Sequence, residues 1–213
     1  IDAASMNKGH IFNDAFGALT THFCQPEHCD NADSNRGDIY CINDSYVSCQ
    51  GIAHNIKQNH LTDKFITQLH CLDEFPENID LILFKIPKSK ALLIEQLIKI
   101  KNNASKNTLF IAADRAKDIH SSTLKLFEKH LGTTTTSLAV KKARLVFCQL
   151  DQTQSFSSPF PTVWTLANTT LKRDFLIHNH ANVYSREKLD IGARYFIENL
   201  PEVARNSKVI DLG

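Results

Sequence analysis

Residues 177–213 read IHNHANVYSREKLDIGARYFIENLPEVARNSKVIDLG, and the close of that run decides how the chain is to be read. Lys208-Val209-Ile210-Asp211-Leu212-Gly213 has the form of a buried parallel strand, an acid at its C-terminal end, and a glycine where a turn opens. A nucleotide-binding βα unit begins in this way. Just upstream, Ile191, Tyr195, Phe196 and Leu200 recur at helical spacing and Pro201 closes the run, which predicts a helix before the strand. A lone D-x-G is a weak signal, since many parallel strands end so. The chain starts at Ile1 and stops inside this motif, so neither terminus looks natural.

Working back toward the N-terminus, Thr162–Leu166 and Phe175 to His178 predict a hairpin through a turn around Asn168-Thr169-Thr170, with Trp164 packing inside it. Residues 152–161 carry Ser and Pro and no charge, and read as a linker. The first 150 residues alternate strand and helix. Strands are expected at 10–13, 38–42, 65–69, 80–85 and 109–113. Helices are expected from Gly17 to about Cys24, from Ser45 to about Asn59 and from Ser89 to about Asn103. A further helix, striped by Ile119, Leu126, Phe127 and Leu131, should end at Gly132. The polar stretch 25–37 reads as a loop. Residues 133–140 and 143–150 predict a closing β-hairpin around Lys141-Lys142. The expected fold is α/β, a doubly wound and mainly parallel Rossmann-like sheet, with a ligand crevice at the C-terminal ends of its strands.

Composition bounds the class. A chain of 213 residues, 42% hydrophobic, can bury one large core and part of a second. No apolar run reaches the roughly 20 residues that span a bilayer, and no signal peptide is visible. The six cysteines are scattered, which suits reduced thiols in the cytoplasm. The net charge of +1 hides a strong asymmetry. Residues 1–84 hold four Lys/Arg against twelve Asp/Glu, residues 85–144 hold thirteen against four, and residues 145–213 hold seven of each. The basic middle is either a surface for a polyanion or the complement of the acidic part across the fold.

The stretch from Asn182 to Gly192, the helix after it and Val209-Ile210-Asp211-Leu212-Gly213 resemble the entry to the small methyltransferase domain of S-adenosylmethionine-dependent enzymes. In such domains the strand runs on into further glycines that meet the methyl donor. The resemblance makes Asp211 and Gly213 the start of a cofactor motif that the chain leaves incomplete. Against the same pattern the N-terminal strand tips are poor. Asn13-Asp14-Ala15-Phe16-Gly17-Ala18 offers one glycine and a bulky Phe where several glycines would be wanted. Asp44 stands after strand two, where an acid would hold ribose hydroxyls. Lys85-Ile86-Pro87-Lys88 follows strand four, where an amino-methyltransferase would show an Asn/Asp-Pro-Pro-aromatic turn.

Further stretches carry a fuller resemblance. Asn13-Asp-Ala-Phe-Gly-Ala-Leu19, Lys85-Ile-Pro-Lys88, Asp118-Ile-His-Ser-Ser-Thr123, Leu126-Phe-Glu-Lys129, Leu131-Gly-Thr-Thr-Thr-Thr136 and Lys141-Lys-Ala-Arg144 resemble the family of bacterial large-subunit ribosomal RNA guanine-N2 methyltransferases G. A small-subunit relative, methyltransferase C, shares the architecture. The likeness covers nearly the whole chain, and the long loop at 25–37 is the main departure. It implies a degenerate methyltransferase-like domain at 1–151, the linker at 152–161, and the truncated start of a catalytic domain at 162–213. It also implies S-adenosylmethionine as cofactor of the longer protein, with none bound and no catalytic residue in this part. Large-subunit ribosomal RNA would be the partner, and a guanine would be flipped out for methylation at its exocyclic amine. The candidate RNA contacts are Lys85, Lys88, Lys90, Arg115, Lys117, Lys141, Lys142 and Arg144. The longer protein is expected to be a monomer.

Two rival readings stand beside this one. The first domain could be a live nucleotide-binding enzyme using Asp14, Gly17 and Asp44, or a purely structural support for its neighbour. No metal site is expected. His22, Cys24, His28 and Cys29 fall within eight residues, but the spacing matches no zinc knuckle and no second pair follows. His178 and His180 share one strand face and read as polar packing near the domain junction or near the mouth of the catalytic pocket. A strand at 208–212 would expose apolar edges, so the tail is expected either to self-associate or to fold back on the first domain.

Overall fold

A computed structural model describes residues 8–25, 37–61, 64–167 and 173–210. The chain divides into two compact units, Ile1–Pro159 and Phe160–Gly213.

In the first unit the order is β1 (Lys8–Phe12), α1 (Ala18–Phe23), β2 (Asp38–Asn43), α2 (Tyr46–Gln58), β3 (Ile66–His70), β4 (Leu81–Lys85), α3 (Lys90–Asn103), β5 (Leu109–Arg115), α4 (Ser121–His130), β6 (Gly132–Thr136) and β7 (Ala143–Leu150). The strands form one seven-stranded sheet in the order β3-β2-β1-β4-β5-β7-β6. The first five pair in parallel, and β7 runs antiparallel between β5 and β6. The strand order reverses between β1 and β4, so the ligand crevice of such a sheet opens there.

Period-two alternation sends the strands' side chains into two cores. On one face Phe12, Phe84 and Phe110 pack with Phe127 of α4 and with Leu93, Leu97 and Ile100 of α3. On the other, Ile11, Ile39 and Cys41 meet Ile52 and Ile56 of α2. Two helices take a hydroxyl at the N-cap, as their sequences foretell. Ser45 Oγ accepts from Ser48 N at 3.3 Å and Ser89 Oγ from Leu92 N at 3.3 Å. His10 is one of several polar side chains in this interior. It is fully buried among Tyr40, Phe12 and Phe75, and neither ring nitrogen has a hydrogen-bond partner among the described residues.

Gly132 follows the C-cap Leu131 and ends α4 as expected, then opens β6 at φ 140°, where a Cβ would come within 2.3 Å of the Gln149 carbonyl oxygen. One local expectation needs correction. The strand expected over 133–140 stops at Thr136, and Val140 rejoins the ladder only as a bridge to Ala143.

The second unit holds a two-stranded antiparallel hairpin, β8 (Thr162–Leu166) and β9 (Phe175–Asn179), then α5 (Ile191–Glu198). Its turn at 168–172 lies outside the described residues. The Arg186 carbonyl gathers three donors, Trp164 Nε1 at 3.0 Å, Asn179 Nδ2 at 2.9 Å and Thr162 Oγ1 at 3.3 Å. That knot ties the segment before α5 to the hairpin and gives Trp164 its packing role. Asp190 caps α5 by accepting from the Gly192 amide at 2.9 Å. Along β9, Leu176 and His178 face solvent while Phe175, Ile177 and Asn179 are half-buried, and His180, just past the strand, is exposed as well.

The strand expected at 208–212 is not formed in its described part. Residues 208–210 are irregular, with Val209 72% and Ile210 83% exposed. A strand exists only through its ladder partners, and none stands beside these residues among those described. Asp211 and Gly213 lie outside the described residues.

Candidate functional site

The crevice between β1 and β4 is filled by the chain itself. Asn13, at φ 59°, turns the backbone after β1 and donates from Nδ2 to the Lys85 carbonyl at 2.9 Å and to Gln96 Oε1 at 2.9 Å. Gln96 Nε2 donates back to Asn13 Oδ1 at 2.9 Å. Gln96 is fully buried, so the paired amides form a closed, satisfied plug across the switch point. Asp14 is also occupied. Its Oδ2 accepts from the Thr20 amide and the Thr20 hydroxyl, both at 2.9 Å, which ties it to α1. Thr20 Oγ1 in turn lies 3.2 Å from Cys41 Sγ, and burial pushes that thiol up to about 12.

Gly17 does what its position requires. It caps α1 at φ 82°, and a Cβ there would sit 3.2 Å from Ile52 Cγ1. Phe16 lies over Gly51 of α2 so closely that a Cβ at 51 would fall 2.5 Å from its ring. Asn55 Nδ2 holds the Phe16 carbonyl at 2.7 Å. The loop that would wrap a ligand is clamped onto a helix. Asp44, after β2, receives the Cys71 thiol at 2.6 Å, with His70 Nε2 4.0 Å away. Burial, and after it the bond to Asp44, push the Cys71 thiol up to about 12. Asp14, Gly17 and Asp44 thus do not converge on one open site.

The cations do converge. Antiparallel pairing sets Ala143 beside Arg115 and Arg144 beside Asp114, so the β6–β7 hairpin tip stands at the C-terminal edge of the parallel strands. The Ala116 amide donates to the Lys142 carbonyl at 2.8 Å and pins that tip. The turn itself is tight. Val140 and Ala143 exchange both backbone hydrogen bonds at 2.9 Å, and Lys141 and Lys142 adopt φ 47° and φ 67°. Lys85, Lys88, Arg115, Lys117, Lys141, Lys142 and Arg144 therefore share one sheet edge, with Lys90 opening α3 beside it.

They are not equally available. Lys85 Nζ is held by Asp114 Oδ1 at 2.6 Å, and Arg115 Nε by Asp118 Oδ2 at 2.6 Å. Arg144 is half-buried. Lys88, Lys90, Lys117, Lys141 and Lys142 are exposed and make no ion pair among the described residues.

Of the histidine and cysteine constellations, His28 and Cys29 lie outside the described residues, and His178 and His180 gather no third ligand among them. The grouping that the sequence did not suggest is Asp44, His70 and Cys71, from two neighbouring strand tips. Gln96 and Gly51 were also missed. A glutamine on the apolar stripe between Leu93 and Ile100 was the available signal for the first.

The sheet order and its helices define a methyltransferase fold whose first cofactor crevice is plugged. A Thermus thermophilus 16S rRNA N2 G1207 methyltransferase superposes with a TM-score of 0.62 at 11% identity, over 90% of this chain and 47% of that one. Mitomycin 7-O-methyltransferase does so at 0.53 and 11%, over 71% and 51%. At such identities the likeness concerns fold alone.

Sequence comparison narrows the class. The family described as RLMG N-terminal domain matches residues 2–152, and the methyltransferase small domain matches 174–213. The chain belongs to the RLMG N-terminal domain family. The ribosomal RNA large subunit methyltransferase G of Colwellia psychrerythraea is 63% identical over 98% of this chain and 53% of its own length. That of Pseudoalteromonas atlantica is 43% identical over 96% and 49%, and that of Yersinia enterocolitica 43% over 95% and 48%. The chain spans about half the length of the curated relatives it matches.

Proposed function

We propose that this chain is the RNA-holding N-terminal part of an S-adenosylmethionine-dependent methyltransferase acting on a guanine amine of large-subunit ribosomal RNA. In this reading residues 1–151 grip RNA, 152–161 link, and 162–213 open the catalytic sheet. Asp211 and Gly213 begin the cofactor motif of that second sheet, and the first sheet binds no methyl donor. The observation that carries the reading is the pairing of a plugged crevice with five exposed lysines around its rim that make no ion pair among the described residues. Such a rim meets phosphates without reading bases, which suits a domain that orients a substrate for chemistry done elsewhere.

The test is the salt dependence of RNA binding. A variant carrying Lys88→Ala, Lys117→Ala, Lys141→Ala and Lys142→Ala should weaken binding similarly for ribosomal and unrelated structured RNAs. Its log–log salt slope should flatten by about one unit per lost phosphate contact. Lys85→Ala alone should change the slope little, because its ammonium is already engaged by Asp114. If the quadruple variant binds like the parent at every salt concentration, the first unit is a structural support and its lysines a solvated rim. Calorimetry with S-adenosylmethionine on the same chain should show no micromolar binding.

A further inference from the structure

The parallel register of β2 and β3 pairs Asn43 with His70, so the residues just beyond, Asp44 and Cys71, emerge side by side at the strand tips. Asp44, His70 and Cys71 each offer one ligand atom, and these atoms all lie within 4.8 Å of one another. His70 presents Nε2 to Asp44 Oδ1 at 4.0 Å and Nδ1 to Cys71 Sγ at 3.8 Å. Neighbouring donors around one tetrahedral zinc-like ion stand roughly 3.3–3.6 Å apart, given bonds of about 2.0 Å to N or O and about 2.3 Å to S. One imidazole offers one nitrogen to the ion: Nε2 stands 4.0 Å from Asp44 Oδ1, and a small shift of the exposed ring brings it to that spacing. The Asp44–Cys71 contact of 2.6 Å must open by about 1 Å, which rotation of the part-exposed carboxylate allows.

We propose that Asp44, His70 and Cys71 form a three-ligand site for a divalent transition-metal ion of the zinc class. A carboxylate, an imidazole and a thiol suit zinc or cobalt rather than magnesium or calcium, which take oxygen alone. A three-residue set leaves one coordination position to solvent, and the exposure of His70 provides the way in.

The frame around the site is already built. Asp73 Oδ2 accepts from the His70 amide at 2.7 Å, and the Asp73 amide donates to the His70 carbonyl at 3.0 Å, so the turn carrying two of the ligands is locked. Supporting contacts of this kind orient metal ligands. The long Leu72 amide bond to His70 Nδ1, at 3.4 Å, is given up when Nδ1 carries the ring proton and Nε2 meets the ion. Lys99 opposes a second cation nearby, but its ammonium is directed to backbone, donating to the Cys71 carbonyl at 2.5 Å and the Asp73 carbonyl at 3.3 Å while lying 5.0 Å from the Phe75 ring centroid. On binding, the Cys71 S–H proton leaves to solvent and the sulfur lone pair makes the metal bond.

Cobalt(II) added to the metal-free chain tests this directly. One equivalent should produce the thiolate-to-cobalt charge-transfer band in the near ultraviolet, and zinc should displace it. Cys71→Ser should abolish the band, whereas Cys49→Ser should leave it intact. His70→Ala, at an exposed position that folding tolerates, should weaken cobalt binding at least as much as the roughly 10–100-fold typical of losing a supporting partner. The proposal is overturned if no band appears, if the band survives in Cys71→Ser, or if His70→Ala binds cobalt like the parent. The cluster is then a thiol–carboxylate strut between two strands. Should Cys71→Ser fail to fold, the His70→Ala titration decides alone.

Discussion

At the scale of single residues, His10 carries the sharpest consequence. Burial, and after it the positive charge of Lys8, push its pKa down from 6.5 to about 4. The folded state therefore holds it neutral while an unfolded chain protonates it near 6.5. A group whose folded pKa lies below its unfolded value favours folding fully above the unfolded pKa. That advantage is lost as pH falls from about 6.5 toward 4. The whole window is worth about 3 kcal/mol, of which about 2 is gone by pH 5. Denaturant unfolding at pH 7 and pH 5 should show that loss in the parent. His10→Phe, which keeps the ring among Tyr40 and Phe75, should lose about 2 kcal/mol less over the same interval. Parallel pH profiles for the two chains would remove His10 from the account. The role of the buried Gln96 is not legible locally, because its partner Asn13 stands 83 residues away and no local pattern joins them.

At the scale of elements, the sequence was most legible where hydrophobic period and punctuation agree. The five parallel strands lie within a residue or two of the runs expected for them, most being short apolar runs bounded by polar residues, and Ser45 and Ser89 mark their helix starts. Val209 and Ile210 carry the same apolar signature, yet their strand depends on neighbours that local pattern cannot supply. The edge position of the lysines follows from strand order alone, whereas the ion pair that occupies Lys85 does not, since its partner Asp114 stands 29 residues away. The hairpin turn holds a further tension. Lys141 and Lys142 both take left-handed backbone, where Asn-Gly is the favoured pair and a lysine costs about 1 kcal/mol or more. Lys141→Asn with Lys142→Gly should therefore stabilise the unit by about 1–2 kcal/mol in denaturant unfolding. The same variant should bind RNA more weakly, with a shallower salt slope. Stabilisation without loss of binding would mean that the strained lysines serve no phosphate.

At the scale of the whole molecule, the charge asymmetry of the sequence becomes a spatial one. The sheet order sets β3 and β2 of the acidic segment at one end and the β5, β7 and β6 strands at the other. The pairs Lys85–Asp114 and Arg115–Asp118 are made within the basic segment, so they do not consume the acids of the first 84 residues. That arrangement favours a polyanion surface over mutual neutralisation. Burial is just as unevenly distributed between the units. In the first, α3 buries seven residues, Gln96 and Lys101 among them, and sits on the larger core. In the second, α5 buries none, and Ile191, Tyr195 and Phe196 are exposed along it. A helix of eight residues held by one cap and no covered apolar face opens at little cost, while α3 opens only with its sheet. Amide hydrogen exchange on the chain should accordingly show α3 protected near the global limit. The α5 amides should exchange several orders of magnitude faster, and denaturant should slow or speed them little. Equal protection in the two helices would mean that the apolar side of α5 is covered in solution, by a second copy of the chain if the protection grows with concentration.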